Sequence, residues 1–216
     1  MSRSSGGPAR IGLFGGSFDP VHAGHLHAAR AALRAFDLDR VVFVPARRPP
    51  HKPGRELAPG ADRMEMLRLA LRGEPRFQAL GIELDREGPS YTIDTVRELP
   101  AALGEDGASI HLILGSDNLE GLPTWREAAA LLERVQPVVV HRGGDPAPSL
   151  GEIERALGRT AAEKVRAGYL ELPPVDASST GVRARIRSTG GRSRDLELDP
   201  SVLDYIRERG LYGAGR

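Results

Sequence analysis

Gly15-Gly16-Ser17-Phe18-Asp19-Pro20-Val21-His22-Ala23-Gly24-His25 is the stretch on which the reading of this chain turns. It follows a short apolar run over residues 10–14 and precedes apolar residues at helical spacing over 25–36, so the pattern predicts strand, tight turn, helix. The paired glycines let backbone N–H groups approach an anion closely, and the helix start adds the positive end of its dipole, a combination suited to phosphate. The same glycines also make a plain strand-to-helix connection. His22 and His25 are three residues apart, which puts both on one face of a first helical turn, while His27 is offset so as to point elsewhere. Two histidines on one face beside such a turn read as donors to a polyphosphate. Zinc is the competing reading and requires a third ligand such as His51.

Outward from this turn the chain alternates. Residues 40–45 (RVVFVP) form a continuous β-branched run, as in a strand buried on both faces of a parallel sheet. A Pro/Arg-rich loop runs to about residue 60, then 61–72 reads as helix, 77–84 as strand, 92–103 as helix and 110–114 (IHLIL) as strand. The alternation continues with helix 125–134, strand 137–141, helix 149–167 and strand 169–172. Strands alternating with helices imply right-handed βαβ units and an α/β, doubly wound parallel sheet with ligands at the carboxyl ends of its strands. Two further helices, 179–187 and 201–209, make a small helical C-terminal extension.

Length and composition agree with one globular unit. The 216 residues are 40% hydrophobic, 27% charged and only 5% aromatic, outside the corner where disordered chains sit. We expect a disordered polar lead over 1–9 and a single domain over 10–216. A net charge of +1 provides no global basic field for a nucleic-acid backbone, so any anion site is local. With no cysteine, a disulfide framework, a thiol nucleophile and a thiolate zinc site are excluded. No stretch has the length and apolarity of a membrane span or an export signal, and a cytoplasmic location is expected. Lysine occurs only at Lys52 and Lys164, against an arginine-dominated background, which singles out Lys52 in the loop after the second strand. A compact ammonium there suits an anion; a solvated loop lysine is the plain alternative.

The quoted stretch resembles the signature of the nucleotidyltransferase superfamily. Pro49-Pro50-His51-Lys52, Ser90-Tyr91-Thr92-Ile93-Asp94-Thr95, Leu114-Gly115-Ser116-Asp117-Asn118-Leu119 and Leu122-Pro123-Thr124-Trp125 narrow the likeness. So do Ser178-Ser179-Thr180 with Arg183, and Asp204-Tyr205-Ile206 before Gly210-Leu211-Tyr212. In that order they are similar to the bacterial nicotinate-nucleotide adenylyltransferases, and the match runs nearly from Ile11 to Tyr212. Ser17 departs from a frequent Thr and Ala177 from a usual Ile, and the Arg-rich loop at 190–195 has no assignable counterpart.

The resemblance implies a Rossmann-like nucleotidyltransferase fold, and transfer of AMP from ATP to nicotinate mononucleotide with release of pyrophosphate. It places His22, His25, Lys52 and Arg183 in catalysis. Gly15, Gly16, Ser17, Gly24, Gly115, Asp117, Ser179 and Thr180 go to ATP, and Ser90, Tyr91, Thr95 and Trp125 to the mononucleotide. Mg²⁺ enters only through the ATP phosphates, with no metal site of the protein's own. The implied partners are these two nucleotides, without nucleic acid or membrane, self-association into a homo-oligomer being left open. Read without the resemblance, Ser179-Thr180 with Arg183 is equally an N-cap with a surface arginine. Asp117 is equally a helix cap, Trp125 a core anchor, and Tyr91 and Thr95 capping and core filling.

Rivals are an adenylyltransferase acting on phosphopantetheine or nicotinamide mononucleotide, a class I aminoacyl-tRNA synthetase and a non-catalytic nucleotide-binding module. The stretches 90–95 and 123–125 speak against phosphopantetheine. No lysine-rich second signature or tRNA-binding length supports a synthetase, and the combined His22, His25, Lys52 and Arg183 oppose a non-catalytic module.

Overall fold

The computed structural model describes residues 7–50, 56–142, 149–173, 177–192 and 196–215. Six parallel strands, β1 (Arg10–Gly16), β2 (Arg40–Pro45), β3 (Phe77–Ala79), β4 (Ser109–Gly115), β5 (Val135–Arg142) and β6 (Tyr169–Leu172), lie in the order β3-β2-β1-β4-β5-β6. The chain winds outward from β1 to one edge and then restarts at β4 toward the other, so the order reverses between β1 and β4. Their register pairs Phe14 with Ile113, which brings the glycines at the strand ends, Gly15-Gly16 of β1 and Gly115 of β4, to one crevice.

The strand β2 shows why the sheet forms. Val41, Val42, Phe43 and Val44 are all fully buried; Val41 and Phe43 point into one helical layer, Val42 and Val44 into the other. Each such side chain contributes about 1.5–3 kcal/mol on leaving water. One layer holds α1 (Ala23–Ala35) and α2 (Gly60–Ala70) with the C-terminal helices α8 (Ser179–Thr189) and α9 (Pro200–Glu208). The opposite layer holds α4 (Thr92–Leu103), α5 (Ala128–Arg134), α6 (Gly151–Leu157) and α7 (Arg159–Ala167). No described helix is long and apolar enough to cross a membrane.

Three expected elements are cut differently. The strand expected over 77–84 stops at Ala79: after Leu80 donates to Phe43 O, the Gly81 carbonyl gathers the amides of Leu84 and Asp85 into a short helix α3 (Ile82–Asp85). The helix expected from 125 begins at Ala128, because Pro123 sets a 3₁₀ turn over Leu122–Thr124 and Trp125 is extended (φ −67°, ψ 148°). The single helix expected over 149–167 is two, parted by Gly158 at φ +88°, a conformation a side chain resists.

Candidate active site

At the carboxyl ends of β1 and β4 the molecule opens into a cavity of about 590 Å³, in the range of sites for small ligands. Its first end is the quoted stretch. The position a Cβ would take at Gly15 is empty space, so a ligand can approach that backbone closely. His22 is the residue that caps α1, extended at φ −145°, ψ 171°, rather than a member of its first turn as the spacing suggests. Its amide donates to Nδ1 of His25 at 3.2 Å and the two rings lie 3.8 Å apart. With Nδ1 accepting, a neutral His25 ring keeps its proton on Nε2, as a donor. Gly24 eases this packing, since a Cβ there would press on the His22 ring, 3.0 Å from its Nδ1.

The start of α1 offers fewer free amides than a bare helix end. Ala23 N–H donates to Glu197 O at 2.8 Å and His25 N–H to His22 O at 2.9 Å. His27, expected to point away, also lines the cavity, where α1 lies against β5 and β6.

Behind the loop is a buried ionic cluster. Phe18 has φ +45° and is only 1% exposed, packed edge-on against Phe14 and His25. Asp19, also 1% exposed, accepts from Ala58 N–H at 3.1 Å and from the Tyr212 hydroxyl at 2.8 Å. The Arg63 guanidinium is buried and donates to the carbonyls of Ser17, Ala46 and Ala58, and burial lowers its pKa. Burial beside Asp19 holds the Tyr212 phenol well above the usual range, so it stays a donor. One carboxylate against Arg63 and Arg183 leaves this end net positive, which favours phosphate.

Ser178, not Ser179, caps α8, accepting from Gly181 N–H at 3.0 Å. Ser179 and Thr180 line the cavity, and the Ser179 hydroxyl ties back to Pro20 O at 3.0 Å. Arg183 is not part of the lining: its guanidinium donates to Asp19 O at 2.6 Å and to Thr180 Oγ1 at 3.2 Å. In the middle of the cavity, Gly115 leaves room for Asp117, whose carboxylate would stand 2.3 Å from a Cβ there. Asp117 accepts from the Asn118 side-chain amide and caps no helix.

The far end is built from Ser90, Tyr91, Thr92, Trp125 and Arg126. The Ser90 hydroxyl oxygen accepts from the amides of Arg47 and Arg48, tying the chain that follows β2 to the start of α4. Arg126 stacks over the Tyr91 ring, 4.7 Å from its centroid. Tyr91 O takes the amides of Asp94 and Thr95 and Ile93 is fully buried in the core, so the residue of the α4 start that lines the cavity with its amide is Thr92. Thr95 is fully buried behind the cavity wall and donates to Glu83 at 2.6 Å. Sequence reasoning missed Glu83, which does line the cavity and whose carboxyl burial pushes up in pKa against hydroxyl donors Thr95 and Ser90. It also missed Arg63 and assigned Tyr212 no role. Glu83 lay in an expected strand, and only an acidic residue inside an apolar run hinted at it.

Lys52 and His51, and with them the third ligand of the zinc reading, lie outside the described residues, as do 193–195 of the Arg-rich loop. Among the described residues no group of three His, Asp or Glu side chains is placed to hold a metal ion.

A family model described as cytidylyltransferase-like matches residues 13–185, and the parallel sheet with its crevice glycines and histidines is of that class. A protein of Thermus thermophilus named "Probable nicotinate-nucleotide adenylyltransferase" is 42% identical over 94% of this chain and 99% of its own length. One of the same name from Dehalococcoides mccartyi is 37% identical over 94% of this chain and 97% of its own. The chain belongs to the nicotinate-nucleotide adenylyltransferase family. The nicotinic acid mononucleotide adenylyltransferase of Plasmodium falciparum, solved in complex with NaAD, shares the fold at a TM-score of 0.71, with 17% identity over 96% of this chain and 98% of that one.

Proposed function

We infer that the protein transfers the adenylyl group of ATP to nicotinate mononucleotide, giving deamido-NAD and pyrophosphate for NAD biosynthesis. The observation that carries this is one cavity with two unlike ends, a glycine–histidine end backed by Arg63 and Arg183 and a Trp125–Tyr91 end, joined across Gly115 and Asp117.

In the reaction, an oxygen of the mononucleotide phosphate forms a bond to the α-phosphorus of ATP in line with the departing pyrophosphate, whose bond to that phosphorus breaks. The attacking phosphate is already an anion, so no general base is needed. Catalysis then rests on holding two anions together and stabilising the charge that builds up. His22 and the Nε2–H of His25 face the phosphates from the cap and first turn of α1, and Ser179 and Thr180 from the start of α8. Arg183 contributes its charge from behind Thr180, and to Lys52 we assign the charge of the leaving pyrophosphate. Asp117 meets the ribose, Trp125 stacks on the pyridine, and the Thr92 amide at the start of α4 receives its carboxylate, with Thr95 acting through Glu83.

Mg²⁺ fits this donor set as an ion carried by ATP phosphates and water, since the cavity offers it scattered carboxylates and no cage. When bound there it neutralises phosphate charge. We read residues 10–216 as one nucleotidyltransferase domain acting in the cytoplasm on these two nucleotides, without nucleic acid or membrane. The test is pyrophosphate release from ATP with nicotinate mononucleotide, nicotinamide mononucleotide and phosphopantetheine as acceptors. Nicotinate mononucleotide is expected to give the highest kcat/KM; a phosphopantetheine maximum overturns the assignment.

A further inference from the structure

The C-terminal extension reaches across the fold and braces the loop from behind. Glu197 O accepts the Ala23 amide at 2.8 Å, and the Tyr212 hydroxyl reaches Asp19 Oδ1 at 2.8 Å, from a residue 193 positions away. The two residues at this contact are held in strain: Phe18, next to Asp19, and Tyr212 itself both have φ in the left-handed region, +45° and +59°. Such conformations persist in non-glycine residues where surrounding contacts over-determine them. Asp19 joins two other segments at the same point: its carboxylate accepts from Ala58 N–H and pairs with Arg183, and its own carbonyl accepts from Arg183. Tyr212 itself is not part of the cavity lining.

We propose that Tyr212 is a positioning residue for adenylyl transfer: by donating to buried Asp19 it fixes the turn that presents His22 and His25 to the phosphates. This rests on the phosphate reading of that loop. The second tyrosine of the extension supplies a matched control. The Tyr205 hydroxyl donates to Asp62, also a buried carboxylate, at 2.7 Å, but Asp62 sits on α2 and does not touch the loop. Tyr205→Phe and Tyr212→Phe each delete one hydroxyl from one buried aspartate.

The experiment measures kcat and both KM values for the two variants and the wild type, well below their melting temperatures, and hydrogen exchange of residues 18–25 without substrate. Tyr212→Phe is expected to lower kcat about tenfold, as small misplacements of catalytic groups do, leaving KM for the mononucleotide within about twofold. Exchange of residues 18–25 should be faster in Tyr212→Phe than in Tyr205→Phe, and Tyr205→Phe should keep wild-type kcat. Equal kcat losses in the two variants, wild-type kcat in Tyr212→Phe, or unchanged exchange each overturn the proposal. His25→Ala, measured alongside, separates it from its premise. If His25→Ala slows turnover and Tyr212→Phe does not, only the strut falls; wild-type turnover in His25→Ala removes the phosphate reading itself.

Discussion

The two ends of the cavity are built on opposite plans. At the phosphate end, residues 18–20 and His22 are buried, the backbone is strained, and Arg63, Arg183, Ser179 and Tyr212 grip the loop's carbonyls or its aspartate. At the pyridine end, Trp125 is half-buried, Arg126 and Thr124 are exposed, and Trp125 follows a short 3₁₀ turn instead of sitting in a helix. The difference teaches what each end is for. Charge stabilisation needs donors fixed before reaction, because reorienting them costs barrier height. Stacking on a flat ring tolerates adjustment and needs only a broad surface.

The sharpest way to break this contrast is at the rigid end. His25→Ala is expected to lower kcat by roughly 10² to 10³, the loss typical of one preorganised donor, with ATP affinity changing much less. Single-turnover kinetics and ATP-analogue titration separate the two, and a wild-type rate would falsify the role of the histidine pair.

The next effect tests the far end's chemistry. A helix-start amide rewards a carboxylate over an amide, so kcat/KM for nicotinate mononucleotide should exceed that for nicotinamide mononucleotide by at least about 10² near neutral pH. Glu83 sharpens the prediction, because an ionised Glu83 accepts from the amide NH₂ and repels the carboxylate. The ratio of the two kcat/KM values should therefore fall as pH rises through the upward-shifted Glu83 pKa, and stay flat in Glu83→Gln. Measuring a ratio cancels the titration of the phosphate that both substrates share. Equal values at every pH would sink the nicotinate assignment and leave adenylyl transfer standing.

Trp125→Ala should act more mildly. Loss of one aromatic stack, worth about 0.5–1.5 kcal/mol, raises KM for either mononucleotide by roughly two- to tenfold, keeps their ratio and leaves KM for ATP alone. An equal rise in KM for ATP would mean that the two ends are not separate.

The smallest effect is on stability. Burial raises the Glu83 pKa above that of the unfolded chain, so the stability tied to the neutral acid is complete below the unfolded value and lost as pH rises through the folded one. Glu83→Gln is neutral throughout and can still accept from Thr95. Its Tm should therefore gain on the wild type between acid and neutral pH, about 2–4 °C for each kcal/mol. A difference independent of pH would show that Glu83 titrates normally.

Much of this architecture is legible along the chain. The run at 40–45, the helix at 92–103 and the last strand at 169–172 read directly, because each carries its own periodicity, and the glycine–histidine turn declares itself by composition. Elements cut by a single backbone choice do not, as at Gly81, Trp125 and Gly158. The site divides the same way. Gly15, His22, His25, Ser179 and Trp125 stand in short contiguous motifs and meet at one cavity. Glu83, Arg63 and Tyr212 act through partners 12, 46 and 193 residues away, and no local pattern marks such pairs.

The sequence by itself therefore determined the alternation of strands and helices, and with it the parallel sheet, because hydrophobic periodicity and glycine turns are local properties of the chain. It also determined which residue types could meet a nucleotide, since their motifs are contiguous. Only the tertiary structure decided that His22 caps α1 instead of joining it, that Thr95 turns its hydroxyl to Glu83, and that Arg183 bonds Asp19 behind the cavity. Those outcomes depend on burial: a polar group taken from water must find a partner, and which partner is within 3 Å is settled by packing across the fold.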